Sequence, residues 1–180
     1  MQRDYNVEVE WVHFPLHPET PPEGQSLEDM FAGRGYDLAA AQARLRAVAA
    51  QENLPYSDRT MTYNSRLAQE LGKWADTQEG GDVLHMALFQ AFFVDLENLS
   101  DPEVLLKIVA SAGLSVEEAR EVLEQRTFKP QVDQDWMRSA QYGVTGVPTF
   151  VAGNYKVVGA QPYEVLELLM KEANAERREG

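Results

Sequence analysis

An α/β fold, with one sheet interrupted by a large helical block, is what the order of patterns along the chain predicts. Three observations carry it. Apolar and polar residues alternate near the start, over residues 5–14. Helical periodicity then fills residues 27–142. A two-strand hairpin and a final helix close the chain. One strand and one hairpin make a poor sheet separately. They gain sense as parts of a single sheet with the helices inserted between them.

The first element is "YNVEVEWVHF" (5–14), where Val7, Val9 and Trp11 fall on one side and Glu8 and Glu10 on the other. It reads as a half-buried strand. "PLHPETPPEG" (15–24) has four prolines in ten residues and reads as an extended loop. Residues 38–53 are Ala-rich, with Leu45 and Val48 marking a face. Asn64 is placed to cap a helix that carries Leu67, Leu71 and Trp74 at i, i+4, i+7. Residues 83–96 are strongly apolar, with Leu84, Leu88 and Phe92 in register, so this helix belongs at the centre of a bundle. Asp101 followed by Pro102 opens the next helix, because a proline in the first turn forfeits no hydrogen bond. Gly113 suits the end of that helix, and "SVEE" from Ser115 is a capping box. One more helix is expected over 130–142. Then comes "TFVAGNYKVV", two apolar runs around a Gly-Asn step, and a helix with Pro162 near its first turn and Val165, Leu166 and Leu169 on its apolar side. The tail "KEANAERREG" reads as a fraying helix end.

The 180 residues carry a formal net charge of −13, from 29 acidic and 16 basic side chains. That excludes nucleic acid as an expected partner, since phosphate affinity comes from Lys and Arg. It also disfavours an anionic membrane surface. No apolar run reaches membrane-span length, and the N-terminus lacks a signal-peptide core, so a cytoplasmic location is expected. There is no cysteine, which excludes disulfides, thiolate metal sites and a Cys nucleophile in this chain. His13 and His17 have i, i+4 spacing, but Pro15 and Pro18 forbid the helix that would make them metal ligands. His85 reads as a core or boundary histidine. "AGRGYDL" follows no strand and is no nucleotide loop. Glu117 and Glu118 open a helix before they form an acid–base pair. Phe89, Phe92 and Phe93 read as core. No metal site and no cofactor is expected.

The segment "GVTGVPTFVAGNYKVVGAQPYEVL" resembles the proline loop, hairpin and final helix of the DsbA family, whose thioredoxin-like sheet carries a helical insertion. The resemblance extends to "VEVEWVHFPLHPETPPEG", "YNSRLAQELGKWA" and "LHMALFQAFFVDLENLSDPEVLLKIVASAGL", in order, and covers essentially the whole chain. It is nearest to the FrnE-like branch, also described as 2-hydroxychromene-2-carboxylate isomerase-like. It implies a thioredoxin-like half at 1–24 plus 129–180 and a helical insertion at 25–128. It also implies a cis peptide bond before Pro148, and a substrate-binding loop of Thr145, Gly146, Val147 and Pro148. Val147 would present its backbone to an extended substrate by strand addition. In such proteins the insertion roofs the groove beside this loop, where some of the phenylalanines would line a cleft.

The departure from the family is large. The family's chemistry resides on a first strand and helix carrying Cys-x-x-Cys, with a Ser in glutathione-dependent isomerase relatives. Here the match begins at the family's second strand. The expectation is a sheet whose first central strand is missing, either because the start assigned to the sequence lies downstream of the true one, or because the protein is a redox-dead relative. Two functions follow. One is a thiol–disulfide oxidoreductase whose cysteines lie upstream, leaving this chain redox-inactive and without catalytic residues of its own. The other is a peptide- or small-ligand-binding protein, or a glutathione-dependent isomerase relative. A peptide or small thiol or disulfide is the expected partner, and exposure of strand edges predicts a homo-oligomer.

Overall fold

The computed structural model describes residues 1–178. The chain divides into two compact units. One is Met1–Leu16 with Asp133–Gly180; the other is His17–Val132.

The second unit is built on helices. A minimal sheet pairs β1 (Gln25–Ser26) with β2 (Met61–Thr62), strands too short to register as sequence patterns. Helix α1 (Leu27–Phe31) begins on Ser26, whose hydroxyl accepts from the Asp29 N–H. Helix α2 (Leu38–Gln51) begins on Asp37, which accepts from Ala40 N–H. The expected apolar face of α2 is corrected: none of its residues is buried, and Leu45 and Val48 lie open. An Ala-rich sequence propagates a helix from intrinsic propensity without needing a face to bury. The proline-rich stretch is also corrected, from an extended loop to a succession of turns, with Thr20 N–H donating to His17 O and Gly24 N–H to Pro21 O. Proline fixes φ equally well for the first central position of a turn.

Four helices form the core: α3 (Arg66–Ala75), α4 (Asp82–Phe93), α5 (Pro102–Ser111) and α6 (Val116–Gln125). Leu71, Trp74, Leu84, Leu88, Leu105 and Val109 are buried in one cluster, with Leu67 and Phe92 packed against it. These include the positions whose spacing predicted α3 and the central helix α4. The capping residues perform as read: Asp101 accepts from Glu103 N–H, and Ser115 accepts from Glu118 N–H. Asn64 Oδ1 accepts from Arg66 N–H, with Ser65 at the N-cap position itself. Gly113 takes φ 77°, ending α5 in the left-handed region.

In the first unit, helix α7 (Lys129–Gln141) enters from the helical unit. Strands β3 (Thr149–Ala152) and β4 (Tyr155–Val158) make an antiparallel hairpin pairing Thr149 with Val158 and Ala152 with Tyr155. Gly153 supplies the positive φ, 58°, that its two-residue turn requires at the first central position. Helix α8 (Tyr163–Glu172) packs on β4 and buries Leu169.

Two expectations about this unit are corrected. Residues 7–11 join no sheet; they run without a ladder, and Val9 and Trp11 are exposed. A strand needs a neighbour to complete its hydrogen bonds, and among the described residues none pairs with this segment in a ladder. It is held instead by His13 N–H donating to Asp135 Oδ2, by Arg138 reaching Glu10, and by the chain's end. The tail is therefore no frayed helix as far as residue 178. Asn174 turns left-handed at φ 55°, ending α8. Beyond it Asn6 N–H donates to Glu176 O, Arg178 N–H donates to Asp4 O, and Tyr5 bridges Arg177. Residues 179 and 180, the last of that tail, lie outside the described residues.

Candidate functional site

The loop joining α7 to β3 is held from below by its own hairpin. Lys156, the single charge in β4, donates from Nζ to the carbonyls of Tyr142 and Gly143, both at 2.9 Å. Gly159 N–H donates to Pro148 O at 2.7 Å. Thr149 Oγ1 donates to Gly146 O at 2.7 Å. These bonds satisfy the loop's carbonyls at both ends and fix its course between them.

Between those anchors lies the Val147–Pro148 step, whose peptide bond is cis. The Val147 side chain is 50% exposed. Among the described residues its N–H and C=O have no hydrogen-bond partner. An exposed donor and acceptor on one residue, next to a strand start, is the arrangement that accepts an extended chain. Of the four residues expected to bind substrate, Val147 and Pro148 are exposed, Thr145 is exposed with its side chain facing no partner in the described residues, and Gly146 has its carbonyl engaged by Thr149. The role of Lys156 as the loop's staple escaped the sequence reading. Its signal was a lone cation inside an apolar strand.

Nothing near the loop supplies a nucleophilic sulfur, because the chain has no cysteine. Among the described residues no cluster of three or more His, Asp or Glu side chains is gathered to hold a metal ion. His85 is buried on α4 and bonds through Nε2 to Asp76 Oδ1 at 2.7 Å, closing the end of α3. His17 lies 3.5 Å from Glu19. Glu118 serves the start of α6 through its N–H. The three phenylalanines form a ladder at the end of α4, with ring centres 5.0 Å apart for Phe92 and Phe93 and 6.3 Å for Phe89 and Phe93. Phe92 packs against the core cluster as read, whereas Phe89 is exposed and Phe93 only half-buried, which corrects the reading of those two as core. They cluster at the last turn, where the α4 face leaves the bundle.

In the unit that holds the proline loop, Tyr163 donates its hydroxyl to Asp4 Oδ2 at 2.8 Å. That bond, foremost, holds the Asp4 carboxyl below its ordinary value and the Tyr163 phenol above its own. It ties the start of α8 to the chain's N-terminal turn.

Comparison with known proteins agrees with this geometry. Residues 1–171 match the family described as DSBA-like thioredoxin domain. The Bacillus subtilis (strain 168) protein YwbO, itself uncharacterized, is 28% identical over 170 residues, covering 90% of this chain and 80% of that protein. The crystal structure of a probable DsbA oxidoreductase from Streptomyces coelicolor superposes with a TM-score of 0.85 at 32% identity, covering 93% of this chain and 76% of that one. A structure from Nitrosomonas europaea shares the fold at 18% identity, with a TM-score of 0.61 over 74% of this chain and 72% of its own.

Proposed function

From the premise that the chain belongs to the DSBA-like thioredoxin domain family, we propose that it carries the substrate-holding part of a thiol–disulfide oxidoreductase scaffold. The carrying observation is the open backbone of exposed Val147, next to the start of β3, on a loop anchored at its two ends. An extended peptide, or a small thiol or disulfide, pairs with that backbone as an added strand. Thr145, Gly146 and Pro148 shape the approach. In the same reading the protein is a FrnE-like member that works in the cytoplasm, which the "GVTGVP" loop and the low apolar content of the chain's start support.

Exchange itself requires a thiolate that attacks a disulfide sulfur. The chain contains no cysteine, so it binds without exchanging. The test has two arms. In the first, a Cys-free extended peptide is titrated into labelled protein and the backbone amides are followed by NMR. Saturable shifts at residues 145–149 are expected. Shifts confined to the helical unit, or none, would overturn the binding reading. If glutathione moves the same amides and the peptide does not, the partner is a small thiol. In the second arm, dithiothreitol-driven insulin reduction should run no faster with the protein than with buffer; acceleration would overturn the redox-inactive reading.

A further inference from the structure

Helix α4 is apolar on every side: of its twelve residues only Asp82, His85 and Gln90 are polar. A helix of that kind is normally enclosed. Here Leu84, Leu88 and Ala91 join the core, while the opposite side is open. Val83, Met86 and Phe89 are 51, 60 and 44% exposed. They recur every three residues and so lie in one stripe along the helix. Phe93 continues it, with its ring centre 6.3 Å from that of Phe89. Tyr56 widens it, stacked on Phe93 at 6.4 Å. Ser57 holds that neighbouring segment in place, donating its N–H to Phe93 O and its hydroxyl to Val94 O. From Val83 to Phe93 the stripe runs about 15 Å. A contiguous apolar surface with a polar rim marks an interaction site.

The rim is acidic at both ends. Glu79 and Asp82 stand at the start of α4, and Asp95 and Glu97 just past its end. All four are exposed, and among the described residues none has an ion-pair partner. No Lys or Arg occurs between Lys73 and Lys107. Arg59 sets one positive charge near Phe93, but its Nε and Nη1 are closed off from solvent. These charges select the occupant. A second copy laid along α4 in either direction would bring acid against acid at both ends, which opposes pairing. An anionic lipid surface would be repelled for the same reason.

We propose that this face of α4 docks a basic amphipathic helix of another protein. Its apolar residues at i, i+3 or i+4, and i+7 lie against Val83, Met86 and Phe89. Lys or Arg beyond both ends of that stripe meet the four carboxylates. The face belongs to the helical unit, and the proposal does not rest on the Val147 loop.

The probe is a synthetic Leu/Lys peptide of about 18 residues, five helical turns, with its leucines patterned into one stripe. One control scrambles the same residues to remove the stripe. The other keeps the pattern and replaces Lys by Glu. The Met86 methyl of the intact protein is followed by NMR, with the exposed Met137 methyl of the other unit as reference. The patterned Leu/Lys peptide should move Met86 saturably, with a Kd of about 50 μM, and leave Met137 in place. Scrambling should weaken binding about tenfold, and the Leu/Glu peptide should not bind. Met86→Ser with Phe89→Ser, followed on the α4 amides, should weaken the patterned peptide about tenfold. Asp82→Asn with Asp95→Asn should weaken it several-fold and flatten its salt dependence. No saturation up to about 1 mM, equal binding of either control peptide, an equal shift of Met137, or undiminished binding by the serine variant would each overturn the proposal. So would a Met86 shift that grows with protein concentration alone, which seats a second copy on the face, or one produced by phosphatidylglycerol vesicles, which seats a lipid there. Should the serine variant unfold, the peptide comparison on the native protein still decides it.

Discussion

Glu70 places a full negative charge inside the helical unit, with no exposure of its side chain. Arg126 grips it through Nε and Nη2, both at 2.7 Å, and Arg66 adds a third bond at 2.8 Å. Burial alone would push this carboxyl up; the hydrogen bonds from Arg126 and then Arg66 outweigh it and hold the group below its ordinary value. The network therefore joins α3 to the end of α6, where Arg126 itself takes a left-handed cap. Removing one partner of such a network leaves a buried charge uncompensated. Arg126→Ala, which leaves buried Glu70 with Arg66 alone, should cost about 3–5 kcal/mol, read as a lowered urea midpoint. A depressed folded-state value also sets the sign of the pH dependence. The stabilisation is complete above the unfolded carboxylate range, near ~4.3, and is lost as pH falls through the lower folded value. Acid melts of the wild type should steepen below that range, and those of Glu70→Gln should lose that part of the slope. Gly81 makes a different point. A Cβ there would stand 1.8 Å from the Ala75 carbonyl oxygen. Gly81→Ala must displace the turn between α3 and α4, and should destabilise by more than the ~1–3 kcal/mol of ordinary overpacking, measured by the same unfolding curves.

At the scale of elements, the helices of the core start where their caps say they should. Asp101 and Ser115 each satisfy an otherwise orphaned N–H in the first turn. Asp101→Ala should cost roughly 0.5–2 kcal/mol and shift the thermal midpoint without altering the helical signal at low temperature. Helix α2 behaves differently. It has no buried residue, so it stands on propensity and on local bonds, including Gln42 to the Arg59 N–H. Amide exchange should be fastest there among the longer helices and slowest in α3 and α5, because protection follows burial of the packed face. Equal protection in α2 and α5 would contradict this account. The hairpin is the remaining element of consequence. Its two strands pair only with each other among the described residues. Its apolar residues are open on both faces, with Phe150 and Val151 39% exposed and Tyr155 and Val158 47%.

At the scale of the whole molecule, that open hairpin bears on association. A two-stranded sheet with bare edges is a template for another chain. We propose that copies of this chain self-associate through it. Sedimentation should show species heavier than the 20.3 kDa monomer, and the melting midpoint should rise with protein concentration. A monomer whose cooperative melt ignores concentration would sink the proposal. Among the described residues no helix is long and apolar enough to cross a membrane.

The sequence by itself determined the core helices, the Asp101 and Ser115 caps, the hairpin and its turn, because each depends on neighbours within a few positions. Leu71, Trp74, Leu84 and Leu88 announced their burial through spacing that only a helix brings to one face. The proline loop was legible too, since "GVTGVP" carries a family resemblance that composition could not. Only the tertiary structure decided which of these segments found partners. Residues 7–11 have the alternation of a strand, yet a ladder needs a second chain segment at hydrogen-bonding distance, and alternation says nothing about whether one is there. The same limit hid the Lys156 staple and the Glu70 network. Lys156 bonds carbonyls 13 and 14 positions away, and Arg126 reaches Glu70 across 56. Burial and hydrogen bonding at that range are fixed by packing, to which local periodicity is blind.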